Sequence, residues 1–140
     1  MNGKLGTIEM LDSLISTSNS LLLEANNFLT NYEINWQHYK ILDELCRCNA
    51  PKSSIELKAL FPGKRPDMTR LVDVLEKKNF ITRKINSENR RKIDIQVTKE
   101  GSKCCQEVGE KLNRIIDLES KLSKEDYETV MNSLKIIRSI

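Results

Sequence analysis

Apolar side chains recur along most of the chain near the 3.6-residue period of a helix with one buried stripe. Ile8, Leu11, Ile15, Leu22, Ala25, Phe28 or Leu29, and Tyr32 trace a long first helix, loosened around residues 16–20. Asn35 is placed to cap a second helix from Trp36 to about Cys48, with Trp36, Tyr39, Leu42, Leu45 and Cys46 inward. Ser53-Ser54-Ile55-Glu56 has the form of a capping box. It predicts a short third helix to about Phe61 that buries Ile55, Ala59 and Leu60, before Pro62-Gly63 stops it. Pro66 suits the first turn of a fourth helix, and Asp67 complements its positive start. Met68, Leu71, Val72 and Leu75 then form its buried face, while Thr69, Arg70 and Asp73 face out. Asn79 is the expected left-handed stop.

Beyond Asn79 the period drops to two. Residues 80–85 and 92–97 read as strands, the latter with Ile93, Ile95 and Val97 on one face, joined by a polar loop over residues 86–91 that carries Arg90 and Arg91. Thr98 is placed to cap a fifth helix with Cys105, Val108, Leu112, Ile115, Ile116 and Leu122 inward. Ser123 starts a sixth, with Tyr127, Val130, Met131, Leu134 and Ile137 inward. Three helices followed by a basic hairpin is the order of a winged helix-turn-helix, so the fold class is mainly α with a small β-hairpin wing. A helix fits the major groove of duplex DNA, and a narrow arginine-tipped loop fits the minor groove. Residues 8–32 and 102–140 are then dimerisation helices flanking a DNA-binding lobe at 35–98, all within one domain, 1–140. Two such lobes would suit a near-palindromic operator.

Size and composition agree with this reading. The 140 residues are 39% hydrophobic and 31% charged, with only 5 Gly and 3 Pro, which favours long helices over a turn-rich all-β chain. No apolar stretch exceeds three residues, far short of a membrane span. Residues 1–10 lack the apolar core of a secretory signal, which points to the cytoplasm. Cys46, Cys48, Cys104 and Cys105 read as reduced thiols, since C-x-C and C-C spacings depart from zinc knuckles. Net charge is only +3, yet residues 58–92 hold 11 basic and 4 acidic side chains, a net +7, while the remainder holds 12 and 16, a net −4. Such a concentrated basic segment is the footprint of a phosphate-facing surface.

Residues 67–83, and Ser87-Glu88-Asn89-Arg90-Arg91 followed by Val97-Thr98-Lys99-Glu100-Gly101, resemble the multiple antibiotic resistance regulators, the MarR family. Residues 67–83 are similar to that family's recognition helix running into its wing. Residues 87–91 and 97–101 are similar to the wing tip and the entry to the dimerisation helix. The resemblance implies a homodimeric transcriptional regulator, commonly a repressor released by a small molecule or an oxidant. Two departures stand out. The family's wing carries Asp two residues before its key Arg, where this chain has Asn89 before Arg91, implying a less rigid loop. The family's Gly at the end of the recognition helix is Asn79 here. The link over residues 62–66 is also longer than a typical turn.

The candidate DNA-binding residues are Lys64, Arg65, Pro66, Asp67, Thr69, Arg70, Asp73, Arg90 and Arg91. Lys64 and Arg65 suit phosphate, Arg70 suits guanine, and Arg91 suits a minor groove. An ion pair of Arg70 with Asp73 or Asp67 is the plain alternative. The resemblance places an effector pocket near Trp36, His38 and Tyr39, although His38 also reads as a helix-start residue and Trp36 as core. One His, no nucleophile motif and no phosphate loop leave little with which to do enzymatic chemistry, and no metal or cofactor is called for. The redox-sensing branch of the family carries its reactive Cys in the first helix, where residues 1–32 have none. A winged helix that binds protein or RNA is the competing class. All 7 aromatics lie outside residues 62–79, where an RNA-stacking platform would be expected on the exposed helix.

Overall fold

The structure, a computed structural model, describes residues 6–139, so the leader-peptide reading of residues 1–10 falls partly outside the described residues. Helix α1 (Thr7–Leu29) continues into a single 3-10 turn (Thr30–Tyr32). It runs unbroken through residues 16–20, where loosening was expected, with those side chains exposed so that none competes for a core position. Glu33 turns the chain at φ 56, and Asn35 starts α2 (Trp36–Cys48). Then follow α3 (Ser54–Lys58), α4 (Met68–Lys77), strands β1 (Ile81–Ile85) and β2 (Ile93–Val97), α5 (Lys99–Ile116), a short α6 (Leu118–Lys121) and α7 (Lys124–Arg138).

The core gathers around α2. Ile41, Leu42 and Leu45 meet Leu57 of α3, Leu71, Val72 and Leu75 of α4, Ile81 and Ile95 of the hairpin, and Val108 and Leu112 of α5. The buried face of α4 is the one the pattern predicts. In α3 the stripe differs: Leu57 is fully buried, whereas Ile55 is 79% exposed and Ala59 is exposed. The buried Ser53 fixes this register. It caps α3 and sits in the core itself, so the residues one and two turns later, Leu57 and Phe61, follow it inward.

The strands pair antiparallel with Ile81 opposite Val97, Arg83 opposite Ile95 and Ile85 opposite Ile93. Lys52 adds a single bridge on the other edge of β2: its N–H donates to the Ile95 carbonyl at 2.9 Å and its carbonyl accepts the Ile95 N–H at 2.8 Å. The hairpin base is therefore tied to the segment before α3. Pro51-Lys52 gives no strand signal in the sequence because the pairing involves one residue.

α5 breaks after Ile116, earlier than the expected run to Leu122. Asp117 adopts φ 44, caps α5 through its N–H and starts α6 by accepting the Ser120 N–H. Several apolar residues expected inside stand open in the single chain: Ile8, Leu11 and Ile15 on α1, Ile115 on α5, and Tyr127, Val130, Met131 and Ile137 on α7. None of the described helices is long and apolar enough to cross a membrane.

Candidate nucleic-acid interface

The first surface element is α4. Asp67 caps it, with Oδ1 accepting the Arg70 N–H at 3.2 Å. Pro66 therefore precedes the cap and does not occupy the first helical position, a correction that follows from the capping carboxylate needing extended backbone at residue 67. Helix α4 ends as expected at Asn79, whose φ of 62 lets the Phe80 N–H reach the Leu75 carbonyl and the Asn79 N–H reach that of Glu76. Opposite the buried stripe, Thr69 and Arg70 are exposed. Lys64 and Arg65 are exposed in the loop leading to its N-terminus, which Gly63 turns at φ 76.

Asp73 departs from the expected outer row. It is half-buried, and its Oδ1 lies 2.7 Å from Nη2 of Arg83 on β1. The same guanidinium reaches Glu76, with Nη2 at 2.7 Å from Oε1 and Nε at 3.3 Å from Oε2. Helix and wing are thus joined by one arginine between two carboxylates of α4, and the Glu76 carboxyl is held below its usual range by Arg83. Asp73 is not the partner of Arg70. The sequence reading missed Arg83. Its signal is the strand alternation, which puts it on the same face as buried Ile81.

The wing loop spans residues 86–92. Asn86 organises it: its side-chain oxygen accepts the N–H groups of Glu88 and Asn89, both at 2.9 Å, and its amide donates to both oxygens of Asp94. Asn89 accepts the Arg91 N–H at 3.1 Å, and its carbonyl accepts the Lys92 N–H at 2.9 Å. The loop is therefore braced through asparagine side chains bonded to backbone, and the loss of rigidity implied by Asn in place of Asp does not follow. Arg90 and Arg91 are exposed at the tip.

Residues 34–93 match the model of the MarR family. Over that stretch the chain is similar to the MarR family. No curated protein matches it significantly. Among solved structures it is similar to the transcriptional regulator BldR from Sulfolobus solfataricus, at 20% identity and TM-score 0.82, with 97% of this chain and 100% of that one covered. It is also similar to a mutant MarR from E. coli complexed with operator DNA, at 24% identity and TM-score 0.75, covering 93% and 94%. A third is NadR in complex with 4-hydroxyphenylacetate, at 23% identity and TM-score 0.77, covering 100% and 98%. These likenesses bear on the fold, a mostly helical chain with a two-stranded hairpin.

Away from the wing, Trp36, His38 and Tyr39 do not converge on one site. Trp36 lines an open apolar groove of about 680 Å³ between α1 and α7, with Leu14, Leu21, Leu22, Met131 and Leu134. His38 points elsewhere and is buried, its Nδ1 accepting the Asn35 N–H at 3.0 Å while the Asn35 side chain accepts the His38 N–H at 3.1 Å. It completes a capping box in the place usually held by Glu or Gln. Burial and the charge of Lys78 lower its pKa. Tyr39 is half-buried beside Trp36, with ring centroids 5.7 Å apart, and burial pushes its hydroxyl up to about 12. Cys104 and Cys105 are buried on α5 and Cys46 is half-buried on α2, so burial raises the first two thiols.

Proposed function

We propose that the chain is a homodimeric, sequence-specific regulator of transcription that binds duplex DNA at a near-palindromic operator. It acts as a repressor modulated by a small molecule. One observation carries the reading: a net +7 over residues 58–92 is displayed on an exposed helix face, the loop before it and a braced, arginine-tipped hairpin, all anchored to one core. In this reading Thr69 and Arg70 meet base edges in the major groove, Lys64 and Arg65 meet phosphate, and Arg90 and Arg91 enter the adjacent minor groove. Asp67 and Pro66 shape the start of the reading helix. Residues 35–98 form the DNA-binding lobe, and residues 8–32 and 102–140 the dimerisation part of the one domain.

The dimer is supported by the open apolar faces of α1 and α7, which leave Ile8, Leu11, Ile15, Val130 and Ile137 in contact with water in a single chain. The similar MarR and NadR structures, solved with operator DNA and with 4-hydroxyphenylacetate, support the two ligand classes. Selection of duplexes from a random pool tests the proposal. A palindromic consensus is expected, and an enriched pool without two-fold symmetry overturns the operator reading.

A further inference from the structure

We infer that Arg83 is a positioning residue that sets the angle between the wing and α4, so that both reach DNA at once. The inference rests on the duplex-DNA reading above. A two-stranded hairpin is a weak lever, and this one is rooted at its base by buried Ile81 and Ile95 and by the bridge to Lys52. On β1 the next residue of that face after Ile81 is Arg83, level with Ile95 on β2, and Ile85 beyond it is already 68% exposed. Arg83 is thus the outermost residue of that face of β1 held to the body. Its planar fork takes two carboxylates, Asp73 and Glu76, that stand one turn apart on α4. Two anchors on one rigid group fix rotation as well as distance, which a single-point ammonium does not.

α4 carries Thr69 and Arg70 outward, and the wing carries Arg90 and Arg91. Groove spacing in DNA is fixed, so a wing free to swing would bring Arg91 to its groove at an entropic cost, and the contact would weaken. Arg83 has a further, separate effect: its charge offsets one of the two negative charges that Asp73 and Glu76 place on α4, which would otherwise repel phosphate more strongly. The two effects separate in a mutant cycle. Exposed charge weakens binding by a factor independent of Arg91, whereas lost positioning shrinks what Arg91 itself contributes.

Arg91→Ala is therefore measured on the selected duplex in three backgrounds: wild type, Arg83→Lys, and the triple variant D73N/E76Q/R83M, in which neither carboxylate is left exposed without its guanidinium. In wild type the loss of affinity is expected to be about fivefold or more. In the triple variant it should shrink to about threefold or less, with Arg83→Lys between them. An equal loss in all three backgrounds overturns the inference while leaving the DNA reading standing. Should the triple variant fail to fold, Arg83→Lys decides alone, and a loss there equal to that in wild type overturns it. A wild-type chain that binds no duplex, or that is indifferent to Arg91→Ala, overturns the reading on which the inference rests, and the inference with it.

Discussion

Asn89 and Arg91 are linked through the backbone, with the Asn89 side-chain oxygen accepting the Arg91 N–H at 3.1 Å. The loop is held by this bond while the guanidinium stays at the surface. Arg91→Ala should therefore leave stability within ~0.5 kcal/mol, as at other exposed sites. Operator affinity should nevertheless fall by ~1 to 3 kcal/mol, the scale of one good nucleic-acid contact. Thermal melts and DNA titration of the same preparation check both halves. Asn89→Asp keeps the acceptor and should hold or improve affinity, whereas Asn89→Ala loses the brace and should weaken it.

α3 offers a test of core register. Leu57→Ala empties a fully buried position and should cost ~2 to 5 kcal/mol. Ile55→Ala, two residues earlier at a site 79% exposed, should change stability by no more than ~0.5 kcal/mol. Urea unfolding of the pair decides. Comparable losses would place both residues in the core.

The long periodic elements were legible because their apolar stripes extend over several turns. Met68, Leu71, Val72 and Leu75 give α4 its face directly, and Thr98 and Ser123 announce the helices after them by their own chemistry. The misreadings lie where a polar residue belongs to the core or where an apolar one is open in a single chain. Ser53 shifted α3, and Trp36, Tyr127 and Val130 pointed inward on pattern alone. At the candidate interface, exposed Thr69, Arg70, Arg90 and Arg91 follow from sequence, because surface position is the complement of the stripe. The Asp73–Arg83–Glu76 arrangement does not, since it joins a helix and a strand whose relative placement is set by the buried base of the hairpin.

His38 predicts a pH dependence. Its folded pKa lies below the ordinary 6.5 because burial disfavours the imidazolium and Lys78 repels it, so the unfolded chain binds the proton more readily. The stabilisation from neutral His38 is complete above pH 6.5 and is lost as pH falls from there toward the folded pKa. The Asn35 N–H also needs the unprotonated Nδ1 as acceptor. His38→Gln retains an acceptor at the third helical position without a titration. Unfolding by urea from about pH 7.5 to about pH 5 should show the wild type losing stability relative to this variant. Parallel curves would remove His38 from the account.

Gly101 sits where α5 leaves the wing. A Cβ added there would meet the Phe80 carbonyl carbon and the Val97 side chain at 2.9 Å, and the Phe80 oxygen more closely still. That junction is pinned: the Thr98 hydroxyl donates to the Asn79 carbonyl at 2.6 Å and accepts the Gly101 N–H at 3.0 Å. Gly101→Ala must move backbone and should destabilise by at least ~1 to 3 kcal/mol. Thermal melting checks this, and an unchanged midpoint would contradict the close approach of α5 to residue 80.

Salt separates the roles of the basic residues. The net +7 segment occurs twice in a dimer, and each phosphate neutralised contributes a slope near −0.9 to log affinity against log salt. With about six or more phosphate contacts, affinity should fall at least ~10³-fold between 50 and 200 mM salt. Lys64 lies in the loop before α4, exposed and clear of the base-reading face, so Lys64→Ala should weaken all duplexes alike and reduce the magnitude of the slope by about one per site lost. Arg70 stands on the outer face of α4, with its backbone N–H already satisfied by Asp67 and its side chain exposed. Arg70→Ala should cost ~1 to 3 kcal/mol on the selected duplex and relax discrimination at one base position. Titrations across several salt concentrations with the selected duplex and a scrambled one measure slope and specificity together. If Arg70→Ala and Lys64→Ala lower affinity for both duplexes by the same factor, Arg70 contacts phosphate and another residue reads the base.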